Sequence, residues 1–153
     1  MNYADYKSVD VVNGEGTRCS LFVSGCEHAC KGCFNAKALN PNYGQPFTKE
    51  VEDRIIADLN DTRIKRQGLS LLGGDPLYPG NLGAILRLCE RVKSETGADI
   101  WLWTGYRREE APEGSEAIFK YVDVVIDGKF EQDLYDPDLK WRGSSNQRII
   151  YME

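Results

Sequence analysis

The sequence predicts an α/β fold, a partial (β/α) barrel of about five to six mostly parallel strands, in a single domain covering residues 1–153. Three observations lead there. Short apolar runs alternate with stretches of helical periodicity, the pattern of strands joined by crossover helices. At 153 residues the chain falls well short of the ~250 that a complete eight-unit barrel takes. Several strand-like runs end in glycine or polar residues, at Gly25, Gly73-Gly74, Thr104-Gly105 and Asp127-Gly128. Ligands in such folds sit at the carboxyl ends of strands, so these turns should share one rim.

Taken in order, Val9 to Val12, Asn13-Gly14-Glu15-Gly16 and Thr17 to Val23 read as strand, turn and strand. Asn-Gly tolerates positive φ at both positions and is a strong hairpin signal. Cys19, inside the second run, reads as a small buried apolar side chain. A cysteine-rich loop follows, and then the turn-rich Pro41-Asn42-Tyr43-Gly44-Gln45-Pro46. Thr48 can cap a helix from Lys49 to about Thr62, with Val51, Ile55, Ile56 and Leu59 at helical spacing. Arg63, Lys65 and Arg66 are expected at its solvated C-terminal end, where positive charge suits the helix dipole.

Leu69 to Leu72 is a short buried strand before Gly73-Gly74-Asp75-Pro76. A second helix, roughly Leu82 to Thr96, carries Ile85, Leu86, Leu88, Cys89 and Val92, with Cys89 expected in the core. Ile100 to Trp103 is the next strand, Glu116 to Tyr121 a short helix, and Val122 to Ile126 another strand. A polar, proline-containing connection, Leu134 to Leu139, leads to Trp141-Arg142-Gly143-Ser144-Ser145-Asn146-Gln147 and a last strand, Arg148 to Tyr151. Nothing in the sequence reads as a repeat, a low-complexity tract or an interdomain linker.

A formal net charge of -5 and the lack of a lysine/arginine block argue against nucleic-acid or anionic-membrane partners. No apolar stretch approaches the ~20 residues needed to span a bilayer. Met1 to Tyr6 lacks the basic start and apolar run of a signal peptide. A cytoplasmic, reducing location is therefore expected, in which clustered cysteines read as metal or redox ligands before disulfides.

Cys26, Cys30 and Cys33 are spaced C-x3-C-x2-C just after Leu21-Phe22-Val23. Thiolates are soft ligands suited to zinc, copper(I) or iron–sulfur clusters. A structural zinc site normally takes four protein ligands from two separate pairs, and the second pair is missing here. A Cys3His zinc site using His28, the one histidine, stays open. A reactive thiol has no second histidine or evident base beside it. The reading favoured by the residues is a 4Fe–4S cluster on three thiolates, with one iron left for an exogenous ligand.

C-x3-C-x2-C after a first strand resembles the signature of the radical S-adenosylmethionine (SAM) enzymes. Within them the chain resembles the glycyl-radical-enzyme activating branch, specifically the activating proteins of anaerobic ribonucleoside-triphosphate reductases. The likeness runs nearly end to end. It rests on Asn13-Gly14-x-Gly16-x-Arg18, Ser24-Gly25-Cys26, Gly32-Cys33-Phe34-Asn35 and Gly44-Gln45-Pro46-Phe47-Thr48. It continues through Gly73-Gly74-Asp75-Pro76, Trp103-Thr104-Gly105-Tyr106, Asp127-Gly128-Lys129-Phe130 and Trp141 to Gln147.

The resemblance implies that Cys26, Cys30 and Cys33 ligate three irons and SAM chelates the fourth. Gly32, Cys33 and Phe34 would line the adenosyl group, and the Gly73-Gly74 turn, Gly74 in particular, would offer backbone to the methionyl amino group. With an electron from a small donor such as flavodoxin, SAM would be cleaved to methionine and a 5′-deoxyadenosyl radical. That radical would take hydrogen from a glycine of the reductase large subunit, the protein substrate. No catalytic side chain beyond cluster and SAM is implied. An activase of another glycyl radical enzyme is the alternative, and a zinc- or iron–sulfur-binding non-enzymatic module is the rival from a different class.

Strand-end placement also makes Thr104 and Asp127 candidates for ribose contact. Three positions depart from the wider pattern. Gly32 stands where an aromatic residue is usual, a feature the activating branch shares. Glu15 stands where relatives commonly carry proline. Gly-Gly-Asp replaces Gly-Gly-Glu, one methylene shorter, so no side-chain role is expected of Asp75, while the backbone role of the Gly73-Gly74 turn stands.

Overall fold

The computed structural model describes residues 1–33 and 36–152. Its strands are β1 (Asn2–Asp10), β2 (Arg18–Val23), β3 (Gln45–Pro46), β4 (Gly68–Gly73), β5 (Asp99–Trp103), β6 (Val124–Asp127) and β7 (Arg148–Tyr151). Its α-helices are α1 (Lys49–Asn60), α2 (Leu82–Glu95) and α3 (Ser115–Phe119). The strands form one sheet in the order β3-β1-β2-β4-β5-β6-β7. The four inner strands β2, β4, β5 and β6 run parallel. β1, β3 and β7 pair antiparallel at the flanks. The sheet is therefore mixed, with a parallel centre, and has seven strands among the described residues where about five to six were expected. The added strand is β3, too short to leave a periodic signal, and β1 begins at Asn2 and not at Val9.

Each parallel pair is linked through a helix, and period-two alternation sorts the side chains onto two faces. Cys19, Leu21, Val23, Leu69, Leu71, Ile100, Leu102 and Val125 share one core with Ile55, Ile56 and Leu59 of α1 and Ile85, Leu88, Cys89 and Val92 of α2. Ile118 and Phe119 of α3 join it. On the other face, Trp101, Val124 and Ile126 pack with Trp103, Trp141 and Ile149. The three α-helices pack on the first face. The second is left to loops and a cavity.

α1 starts where Thr48 accepts the Val51 N–H on its side chain at 3.4 Å. It stops at Asn60 because Asp61 turns extended and its carboxylate holds the Arg63 backbone and guanidinium. Of the basic residues after it, Arg63 and Lys65 are exposed as expected and Arg66 is not. Arg66 is buried and donates to the carbonyls of Ser8, Asp58 and Ile64 at 2.9, 3.0 and 3.1 Å, tying β1, the last turn of α1 and the segment after it together. Among the described residues no helix is long and apolar enough to cross a membrane.

Candidate metal centre

The loop after β2, the Gly73-Gly74-Asp75 turn after β4 and Thr104-Gly105-Tyr106 after β5 meet at the carboxyl ends of the parallel strands. Backbone bonds lock the first two together. The Gly74 N–H donates to Val23 O at 2.7 Å and the Asp75 N–H to Gly25 O at 2.8 Å. Ala38 and Leu39 accept from Gly25 and Cys26 at 2.7 and 3.2 Å. The loop then bends through Ala29 (φ +49) and Gly32 (φ +76), and the Cys33 N–H closes on Cys30 O at 3.1 Å.

Cys26, Cys30 and Cys33, with Gly73 and Gly74, line one cavity of about 450 Å³ on the face away from the three α-helices. Phe22, Leu72, Trp103 and Ile126 from the four parallel strands face into it. Its wall beyond β6 is the segment from Trp141 to Gln147. That segment is tied back by Gln147 donating to Gly128 O at 3.0 Å and Asn146 donating to Lys129 O at 2.8 Å. Within it, Arg142 donates to Gln147 O at 2.8 Å. Trp141 holds positive φ (+62), an uncommon state for a bulky residue. It is held by its carbonyl accepting from Trp103 Nε1 at 2.6 Å and by edge-on packing with Trp101.

All five cysteines are free thiols; Cys26, Cys30 and Cys33 are partly exposed, while Cys19 and Cys89 are buried in the helix-side core. Burial pushes the Cys26 thiol up to about 11 and also raises Cys30. A metal loading here would displace protons from such thiols. Three soft donors from one bent loop, opening on one cavity, fit an iron–sulfur cluster. Phe34 lies outside the described residues, as does Asn35. Gly32 is described in the bend between the second and third thiols, and Gly74 at the cavity.

His28, left open by the sequence as a fourth metal ligand, turns its Nε2 to Asp75. Its Nε2 lies 2.7 Å from Asp75 Oδ2, and both side chains are buried, at 5% and 0% exposure. One donor atom each from Cys26, His28 and Asp75 falls within 4.8 Å of the others. With Nε2 held by Asp75, Nδ1 is the ring nitrogen of His28 left for a metal in a Cys3His zinc site.

The expectation for Asp75 is corrected by its carboxylate, which is fully buried and used throughout. It accepts from His28, from Thr104 Oγ1 at 2.9 and 3.0 Å, and from the N–H groups of Leu77 and Gly105, both at 2.9 Å. The shorter aspartate fits because its partners close in from two strand ends. Thr104, the ribose candidate, spends its hydroxyl on this carboxylate. Asp127 is fully buried and accepts from Arg148 at 2.9 and 2.5 Å and from the Arg108 N–H at 2.7 Å, so its oxygens serve the fold.

Asn81 escaped the sequence reading. It donates to Ser24 O at 2.9 Å and Asp75 O at 3.1 Å, fastening the cysteine loop from beneath. Its only local signal is a polar residue at the start of an amphipathic helix, which reads as an ordinary cap.

The family described as a 4Fe-4S single cluster domain matches residues 12–150. The chain is 58% identical over 150 residues to the anaerobic ribonucleoside-triphosphate reductase-activating protein of Vibrio cholerae, covering 97% of each chain. Against the protein of that name from Escherichia coli K12 the identity is 57% over 153 residues and 99% of each chain. A relative of the same name from phage T4 is 47% identical over 150 residues, 97% of this chain and 93% of that one.

Proposed function

Since the chain belongs to the anaerobic ribonucleoside-triphosphate reductase-activating proteins and to the 4Fe-4S single cluster domain family, we propose that it installs a glycyl radical on the large subunit of that reductase. In this reading it is a radical SAM oxidoreductase of one domain, residues 1–153, acting in the cytoplasm. Its sheet is an incomplete barrel of the radical SAM type. The bound groups would supply one-electron cleavage of SAM to methionine and a 5′-deoxyadenosyl radical, with a small donor such as flavodoxin providing the electron.

The chain's own residues bind, orient and shield. Cys26, Cys30 and Cys33 are assigned as the three iron ligands. Gly32, Cys33 and Phe34 are assigned to the adenosyl group, and Gly74 to the methionyl amino group through its backbone. Phe22, Leu72, Trp103 and Ile126 give the cavity an apolar floor that excludes water from a reactive site. No side chain is assigned as general acid or base.

The observation that carries the reading is the opening of all three loop cysteines, with Gly73 and Gly74, onto one cavity at the strand ends. The test is anaerobic reconstitution with iron and sulfide, then dithionite and SAM, with 5′-deoxyadenosine as the product measured. A fully loaded cluster that yields none sinks the enzyme reading. Substrate identity is read by EPR: a glycyl radical should form on the anaerobic reductase and not on pyruvate formate-lyase. The reverse result would reassign the protein to another glycyl radical enzyme.

A further inference from the structure

We propose that His28 and Asp75 are positioning residues: their contact pins the middle of the cysteine loop to the ends of β4 and β5, so that Cys26, Cys30 and Cys33 face the cavity as a set. The proposal rests on the cluster-ligand reading above and deepens it.

Between Cys26 and Cys30 lie only Glu27, His28 and Ala29. This short span must hold the first two thiols at a workable separation, yet it carries Ala29 at φ +49, a conformation that costs about 1–2 kcal/mol for a residue with a Cβ. Left to itself such a segment would relax. What restrains it reaches across from other strands. His28 Nε2–H donates to Asp75 Oδ2 at 2.7 Å. Tyr106 hydroxyl bonds the Glu27 carboxylate, and the Tyr106 ring packs edge-on against His28 with centroids 4.3 Å apart.

Asp75 is itself immobile, because its carboxylate also takes the Leu77 and Gly105 N–H groups and the Thr104 hydroxyl. The imidazole lies so close to β5's end that a Cβ on Gly105 would sit 2.4 Å from His28 Cδ2. Glycine at 105 leaves the space the ring fills. The histidine therefore joins a strained, ligand-bearing loop to a rigid acceptor shared by two strand ends, with Cys26 beside both.

A hydrogen bond between buried groups and a carboxylate is strong, and losing it should raise local opening of the loop on the order of tenfold. The test compares wild type with His28→Phe, which keeps a ring and loses the donor, and His28→Gln, which keeps a donor at similar reach. In apo protein, amide exchange of residues 26–33 should quicken about tenfold in His28→Phe. It should stay near wild type in His28→Gln, with exchange in α2 and β5 unchanged in both. In reconstituted protein, His28→Phe should release iron to a chelator several-fold faster and give an altered EPR spectrum of the reduced cluster, and His28→Gln should restore both.

Equal loop exchange in all three proteins, or a uniform rise across the whole chain, overturns the proposal. So does iron release from His28→Phe at the wild-type rate. Should His28→Phe not fold, Gly105→Ala, which displaces the ring without removing it, is read against the same outcomes. If wild type itself assembles no 4Fe–4S cluster, the functional reading fails, and the apo exchange comparison still decides whether His28 pins the loop.

Discussion

Gly74 and Gly25 meet backbone to backbone. A Cβ built on Gly74 would stand 2.7 Å from the carbonyl oxygen of Gly25 and 3.0 Å from its nitrogen, with Ala38 O at 2.7 Å on the other side. These are main-chain atoms already engaged in the bonds that hold the cysteine loop, and they cannot swing aside. Gly74→Ala is therefore expected to cost about 1–3 kcal/mol in urea unfolding and to lower iron content after reconstitution. Unchanged stability would mean that the loop and the turn are not seated on each other.

The two cysteines outside the loop should be chemically silent. Burial pushes the Cys89 thiol up to about 12 and raises that of Cys19 as well. Alkylation of native apo protein should modify Cys26, Cys30 and Cys33 and spare these two until denaturant is added, as followed by mass spectrometry. Cys89→Ala should lose roughly 1 kcal/mol of core packing and keep its iron. Loss of the cluster from that variant would overturn the ligand assignment.

At the opposite end of the sheet, Arg18 is fully buried. It donates to Ser70 Oγ at 2.7 Å, to the carbonyls of Glu15 and Leu69 at 3.0 and 3.1 Å, and to Asp99 at 2.5 Å. Its guanidinium also lies over the Trp101 ring, 5.2 Å from the centroid. A lysine keeps the charge and loses the fork, leaving buried acceptors unpaired. Arg18→Lys is expected to cost roughly 2 kcal/mol, read from the urea midpoint at unchanged slope. A midpoint equal to wild type would show that charge alone sustains the site.

Acid should loosen the same end. Burial opposes ionisation of Asp10, but hydrogen bonds from Ser20, the Val12 N–H and Asn13 outweigh it and hold the carboxyl below its usual value. A carboxyl lowered on folding contributes stability above its unfolded pKa and loses it as pH falls through the folded one. The stability advantage of wild type over Asp10→Asn should therefore be full near neutrality and shrink below about pH 4. An advantage that stays flat down to about pH 3 would remove Asp10 from the acid response.

Local sequence alone determined a good deal. Period-two and helical spacings located the parallel strands and their helices to within a few residues, since each apolar stripe must be buried against its neighbours. The last strand, Arg148–Tyr151, came out as read. C-x3-C-x2-C nominated its soft ligands because donor type and spacing are local properties. Tertiary structure decided what no local pattern carries. The two-residue β3 exists only through its pairing with Asn2 and Tyr3. Arg66 reads as a surface charge until the carbonyls of Ser8, Asp58 and Ile64 surround it. Asp75, in sequence a shortened glutamate, becomes a buried acceptor because His28, Thr104 and Gly105 reach it from elements 47, 29 and 30 residues away. Hydrogen-bond partners chosen across such distances depend on how strand ends converge, and that convergence is a property of the folded sheet.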